Sequence, residues 1–250
     1  MPSPTSAIVL SAGLGTRMRP ITDHLPKPLV KVHDKALLDW ALDRLVEVGV
    51  ERAVVNLHHL PQMIRDHLAT RAQPAITFSD ETDLLLETGG GILKALPLLG
   101  DAPFFAINGD VLWLNGVAPA LQRLADTWET HIHQMGPDSL DALLLLHPLS
   151  CANGYSGYGD FEASAIGRLN RRRPGYVAPF IYAGAQIVHP RLFTDCPEGP
   201  FSMNLLWNRA LEADRIAGII HDGAWYHVGT PAALERTEKI LGLPGVHSRQ

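Results

Sequence analysis

Cysteine is nearly absent. Cys151 and Cys196 are the only two in 250 residues, too few for the disulfide framework of a small secreted domain. They form no metal-ligand pattern either. No apolar run is long enough to span a bilayer. The N-terminus has no basic segment followed by a long apolar one, so no secretory signal is evident. Positive charge is also in short supply: the net charge is −5, which argues against a general nucleic-acid binder. The exception is Arg171-Arg172-Arg173, which reads as a solvated loop face or as a contact for an anionic substrate. Disorder is excluded by the 46% of hydrophobic residues, enough for a sizeable core. The expectation is a soluble cytoplasmic protein with neither a membrane nor a nucleic-acid partner.

What the chain does have is a glycine turn behind a short aliphatic strand. Ala7–Ser11 is β-branched and apolar, and it stops at Gly13-Leu14-Gly15. A dinucleotide fingerprint would need a third glycine where Met18 stands. A P-loop would close on Gly-Lys-Ser/Thr, and here Thr16-Arg17 closes the turn. Alone, Gly-x-Gly is an ordinary strand-to-helix connection. Thr16, Arg17 and the rigid Pro26-Lys27-Pro28 shift the reading toward a polyphosphate. Glycine lets backbone N–H groups approach oxygen anions, and the two cations balance charge that backbone dipoles cannot. The prolines restrict the backbone on both sides of Lys27.

The first half alternates strand and helix patterns. Strands are predicted at Ala7–Ser11, Arg52–Leu57, Ala75–Ser79, Phe104–Asn108 and Ala142–His147. A helix with an apolar stripe of Leu38, Ala41, Leu42, Leu45 and Val46 lies between the first two, with Gly49 as its C′ residue. Pro61 starts a helix running to about Ala69, and Ala118–Gln134 forms a longer one. This order predicts a mostly parallel sheet covered by helices, with ligands beyond the carboxyl ends of the strands. Glu87-Thr88-Gly89-Gly90-Gly91 is expected to precede a helix beginning at Ile92. There a flat base or ribose has room on the backbone. Asn108-Gly109-Asp110 places a carboxylate at a strand end, where it suits a hard cation shared with phosphate oxygens. The second half is less regular. Shorter strands are predicted at Tyr158–Phe161, Ala165–Leu169, Val177–Ala183 and Gln186–His189, then at Ile216–His221 and Trp225–Val228. Helices are predicted at Ser202–Ala213, capped by Ser202, and from Pro231.

Ser11-Ala-Gly-Leu-Gly-Thr-Arg-Met-Arg-Pro20 and Pro26-Lys27-Pro28-Leu29 together resemble the signature of sugar-1-phosphate nucleotidyltransferases. The resemblance covers nearly the whole chain. It implies a single domain of Rossmann-like, nucleotide-diphospho-sugar transferase fold over 1–250. A nucleotide-binding half spans about 1–147, and a smaller inserted sugar-binding lobe about 148–250. It implies Arg17, Lys27 and Asp110 as catalytic groups. It implies nucleotide contacts at Ser11, Ala12, Gly13, Gly15, Thr16, Arg17, Lys27, Glu87, Thr88, Gly89, Gly90 and Asn108. Sugar contacts fall at Gly159, Asn170, Arg171, Tyr182 and Gly184.

Glu-Thr-Gly-Gly-Gly looks most like uridylyltransferases acting on N-acetylmuramate 1-phosphate. The implied reaction takes UTP and that sugar phosphate to a UDP-sugar and pyrophosphate, a step of cell-wall recycling. The alternatives are a mannose-1-phosphate guanylyltransferase using GTP and a non-catalytic nucleotide-sugar sensor. One position departs from the family. Trp225-Tyr-His227-Val-Gly229-Thr has His227 where Trp-x-Asp-x-Gly-Thr supplies a second metal carboxylate. The implied ion is Mg2+ on Asp110. His227 is a bystander, a ligand that favours Mn2+, or the mark of a protein that binds nucleotide without turning it over.

Overall fold

The computed structural model describes residues 3–242. In chain order the strands and helices are β1 (Ser6–Leu10), β2 (Lys31–Val32), β3 (Lys35–Ala36), α1 (Leu37–Glu47), β4 (Arg52–Leu57), α2 (Pro61–Leu68), β5 (Ala75–Asp80), α3 (Glu87–Leu99) and β6 (Phe104–Asn108). Then come β7 (Leu112–Trp113), α4 (Ala120–Met135), β8 (Ala142–Pro148), β9 (Phe161–Ala163), β10 (Leu169–Arg171), β11 (Phe180–Val188), α5 (Met203–Glu212), β12 (Ile216–Ile220), β13 (Trp225–Tyr226) and α6 (Pro231–Leu241). Nine strands make one sheet in the order β10-β9-β11-β6-β1-β4-β5, with β8 beside β11 and β12 beside β8.

The first-half strands of this sheet run parallel, β1 pairing with β4 on one side and β6 on the other, and β4 with β5, while β2 and β3 form a separate antiparallel pair. The chain moves outward from β1 to β4 and β5, then returns to β6 on the opposite side. The gap between β1 and β6 is therefore the switch point of the sheet, where α/β proteins open a ligand crevice. The carboxyl ends of these four strands share one rim. Beyond β6 the sheet becomes mixed: β11 runs against β6, β8 and β9, and β12 runs parallel to β8.

Alternation along the buried strands feeds two cores. Ala7 and Val9 face a cluster built with Leu38 and Leu42 of α1, Ile64 of α2 and Leu124 and Trp128 of α4. Ile8 faces the other, with Ile92 of α3 and Leu206 and Trp207 of α5. A third cluster joins Met18, Val30, Leu112, Tyr226, Val228 and Leu241.

The structure corrects several sequence expectations. Helix α3 begins at Glu87 rather than Ile92, so the three glycines lie within its first turns. Close packing explains this: a Cβ on Gly89, Gly90 or Gly91 would strike Phe201, the Gly199 carbonyl or the Glu81 carboxylate. Val46 is exposed, off the stripe made by Leu38, Ala41, Leu42 and Leu45, while Arg44 is buried on Trp113 O and Glu47. The strands predicted at 158–161 and 165–169 sit further on, at Phe161–Ala163 and Leu169–Arg171. The two predicted at 177–183 and 186–189 are one strand, β11, whose register against β8 shifts between Tyr182 and Gln186. Gly184 sits at this bulge with φ +87°, packed against Val111.

Candidate active site

The glycine turn leaves the sheet at Leu10. Its two glycines differ in kind. Gly15 is left-handed at φ +62°, and a Cβ there would lie 2.9 Å from Thr22 Cγ2 and 3.0 Å from Lys27 Cβ. Backbone geometry therefore requires glycine at 15. A Cβ on Gly13 would meet nothing within 4 Å, so the missing side chain there leaves open space over the turn. Thr22 Oγ1 donates to Gly15 O at 2.8 Å, and Met18 N donates to the same carbonyl at 2.8 Å. Met18 is fully buried and pins the turn 16–18 to the third cluster. Burying such a side chain stabilises by about 1.5–3 kcal/mol. Arg17, beside it, stays exposed.

Lys27 lies in a 3-10 turn directly after Pro26 and is only 7% exposed. Its Nζ donates to Asp110 Oδ2 at 2.6 Å. Asp110 follows the end of β6, and Gly109 N binds Leu10 O at 2.8 Å, holding the two strand exits together. A cleft of about 440 Å³ opens above them. Of the sequence-predicted nucleotide contacts, Ser11, Ala12, Gly13, Gly15, Thr16, Arg17, Lys27, Glu87, Thr88 and Asn108 line it, together with Asp110. Gly89 and Gly90 do not: both of their N–H groups donate to Phe201 O, at 2.8 and 3.1 Å. Thr88 Oγ1 accepts from Met203 N at 2.9 Å, joining the starts of α3 and α5.

His227 is half-buried and is not among the residues lining the cleft, although Gly229, two residues on, is. Its Nε2 lies 3.4 Å from Arg17 Nη1, and its ring stacks on Trp225 with centroids 6.0 Å apart. Burial first, and then the charges of Lys27 and Arg17, hold its pKa below the ordinary histidine value. A neutral ring follows at pH 7, its Nε2 able to accept from Arg17 when the proton sits on Nδ1. No group of three or more His, Cys, Asp or Glu side chains that could hold a metal occurs among the described residues. The donors do not form a protein-only cage. They do suit a hard cation that takes one carboxylate, Asp110, and completes its shell with phosphate oxygens and water.

The sequence-predicted sugar contacts fall outside the cleft lining. Arg171 lies over the rings of Phe161 and Trp207, at 4.7 and 5.4 Å, and donates to Asn208 Oδ1 at 2.9 Å and Asn204 O at 3.2 Å. Burial lowers its pKa. Tyr182 packs edge-on against Trp207 at 4.7 Å. These two join a cluster along α5, whose N-cap Ser202 reaches the cleft. Asn170 is exposed, and Gly159 O accepts from Arg172 Nε at 3.1 Å.

Sequence reasoning missed Asn56, Leu85, Ser202 and Gly229, all in the cleft lining. Asn56 lies near the end of β4 and is 2% exposed. Its Oδ1 accepts from Ser11 N at 2.6 Å and its Nδ2 donates to Glu81 Oε1 at 2.7 Å. Glu81 is 1% exposed, and its Oε2 accepts from Leu86 N at 3.1 Å. A polar residue toward the end of an apolar strand was the one signal in the sequence.

The sequence matches the Nucleotidyl transferase family over residues 6–138. It is 42% identical to an N-acetylmuramate alpha-1-phosphate uridylyltransferase of Caulobacter vibrioides, across 96% of this chain and 98% of that one. It is 28% identical to the mannose-1-phosphate guanylyltransferase catalytic subunit beta of Dictyostelium discoideum, across 90% of this chain and 61% of that one. Its fold is shared with a UDP-glucose pyrophosphorylase solved with UDP-glucose, at a TM-score of 0.78 and 17% identity, covering 96% of this chain and 98% of that one.

Proposed function

The chain belongs to the nucleotidyl transferase family, and from that premise we propose that it transfers UMP from UTP to N-acetylmuramate 1-phosphate. The products are the UDP-sugar and pyrophosphate. The observation that carries this reading is the 42% identity to a uridylyltransferase of that specificity along 96% of the chain. The cleft supports it chemically. A sugar-phosphate oxygen attacks the α-phosphorus in line, and the bond to pyrophosphate breaks. The nucleophile is already an anion, so no covalent intermediate on the protein is needed. Catalysis then rests on positioning and charge neutralisation.

In this reading the turn at Gly13–Thr16 cradles the phosphates. Arg17 meets the leaving pyrophosphate, and Lys27 meets the α-phosphate or the incoming sugar phosphate. Asp110 would hold a divalent cation, Mg2+ or Mn2+, whose chemistry is to neutralise charge on the phosphate oxygens. Residues of about 1–147 serve the nucleotide and those of about 148–250 the sugar, through the Arg171 and Tyr182 cluster. Both substrates are cytoplasmic metabolites in this reading, and the reaction is a step in reusing cell-wall sugar. No helix among the described residues is long and apolar enough to cross a membrane.

His227 favours one rival, a nucleotide-sugar sensor that has lost turnover. Pyrophosphate release, measured for each NTP with several sugar 1-phosphates and either cation, separates the two. The expected result is one strong pairing, UTP with N-acetylmuramate 1-phosphate. A GTP and mannose 1-phosphate optimum would refute the uridylyl assignment. Tight nucleotide binding with no turnover in any pairing would refute the enzyme.

A further inference from the structure

We infer that Asn56 and Glu81 are a positioning pair that sets the spacing between the two nucleotide-facing segments, residues 11–17 and the start of α3. The inference rests on the proposed NTP site and adds to it two residues that need not touch the reacting atoms.

The argument is one of donors and acceptors. Ser11 N–H and Leu86 N–H stand at the two ends of a buried chain, and both are donors. Asn56 accepts from the first at 2.6 Å and must then present its amide nitrogen to the next group. That group therefore has to accept on both sides. Glu81 does so, taking Asn56 Nδ2 at 2.7 Å on one oxygen and Leu86 N at 3.1 Å on the other. Only a carboxylate has this pattern, since a glutamine in its place offers one acceptor and one donor. Whichever way that amide turned, an N–H would face another N–H, at Ser11, at Leu86 or between the two side chains. The pair is 2% and 1% exposed, so water does not compensate.

Two further contacts show that the space is built for it. A Cβ on Gly91 would lie 2.7 Å from Glu81 Oε1 and 2.9 Å from Asn56 Nδ2, so the third glycine of α3 makes room for the pair. The Glu81 carbonyl is itself held at 2.7 Å by His58 Nδ1. Ser11 and Asn56, at one end of this chain, line the cleft, and so do Leu85 and Glu87, which flank Leu86 at the other end. The hydrogen-bonded chain thus links the proposed phosphate turn to the segment before α3.

The test is reciprocal exchange. Glu81→Gln should raise the KM for UTP roughly ten- to a hundred-fold, the effect of one buried donor left facing a donor. The KM for the sugar phosphate should stay within about twofold. Amide hydrogen exchange should speed up in peptides covering 8–17 and 82–90. Asn56→Asp combined with Glu81→Gln restores the pattern, because the new carboxylate accepts on both sides and the new amide donates to it and accepts from Leu86. That double variant should recover the UTP KM and the slow exchange. Glu81→Gln with unchanged UTP KM and unchanged exchange overturns the inference. So does a double variant no better than the single one, or one that fails to fold. If Glu81→Gln alone does not fold, a folded double variant with wild-type UTP KM supports the inference. Wild-type protein that binds no NTP overturns the proposed function itself, and the exchange experiment still reports on the pair.

Discussion

Gly13 and Gly15 are two residues apart in one turn, yet replacing each with alanine should have opposite consequences. At Gly15 the backbone is left-handed, φ +62°, and the added methyl would lie 2.9 Å from Thr22 Cγ2. A left-handed non-glycine residue costs roughly 1–2 kcal/mol, and displacing Thr22 and the Lys27 stem adds to that. A loss of about 2 kcal/mol lowers the melting temperature of a protein of this size by about 4–8 °C. At Gly13 φ lies outside the left-handed region and nothing lies within 4 Å of the added methyl. Stability there should change by less than about 0.5 kcal/mol. The methyl instead occupies cleft space that the proposed phosphates need, and nucleotide affinity should fall at least about tenfold, or 1.4 kcal/mol. Thermal denaturation followed by circular dichroism, and titration calorimetry with UTP, separate the two effects. The reasoning fails if Gly15→Ala melts with the wild type. It fails equally if Gly13→Ala binds UTP unimpaired.

Asp110→Asn removes the carboxylate that pairs with Lys27, and pyrophosphate release should drop on the order of 10²–10³-fold; full activity would remove Asp110 from the site. His227→Asp places a second carboxylate near the first and should tighten the apparent Mg2+ requirement, read from the rate against metal concentration. Unchanged rate and metal preference would make His227 structural. His221 is buried, with burial first and the neighbouring His147 second lowering its pKa from 6.5 to about 4. Its unfolded form therefore binds the proton more readily, so this contribution is fully present above pH 6.5 and is lost as pH falls toward 4. The loss amounts to about 3 kcal/mol, and urea titrations of His221→Gln should show a flatter acid limb than wild type.

The first half of the fold was legible because its strands are apolar and short and its helices carry clean stripes. β4 and β6 have the predicted bounds, and β1 and β5 lie within a residue of theirs. The chain beyond β8 was harder to read. Its strands β9 and β10 have three residues each, too few for a periodic pattern, and the bulge in β11 breaks one strand's alternation into two. The glycines of α3 hid a helix, because glycine's low propensity is overridden there by tight packing on Phe201, Gly199 and Glu81. Within the candidate site, the glycine turn, Lys27 and Asp110 were visible as motifs. Asn56 and Glu81 were not. A buried polar pair has no spacing rule, because its partners meet only once β1, β4 and the loop after β5 are side by side.

The third apolar cluster ties together parts of the chain made at different times. Met18 anchors the glycine turn, Val228 adjoins His227, and Leu241 of α6 packs in the same cluster. His33 reaches the same helix, its Nε2 lying 2.9 Å from Glu238 O. On the ribosome the turn precedes part of its apolar seat, since Tyr226, Val228 and Leu241 are made more than 200 residues after Met18. A nascent chain without α6 would display the glycine turn with part of its support missing. Every residue that lines the cleft is already made by Gly229, so α6 adds a brace to walls that are present before it.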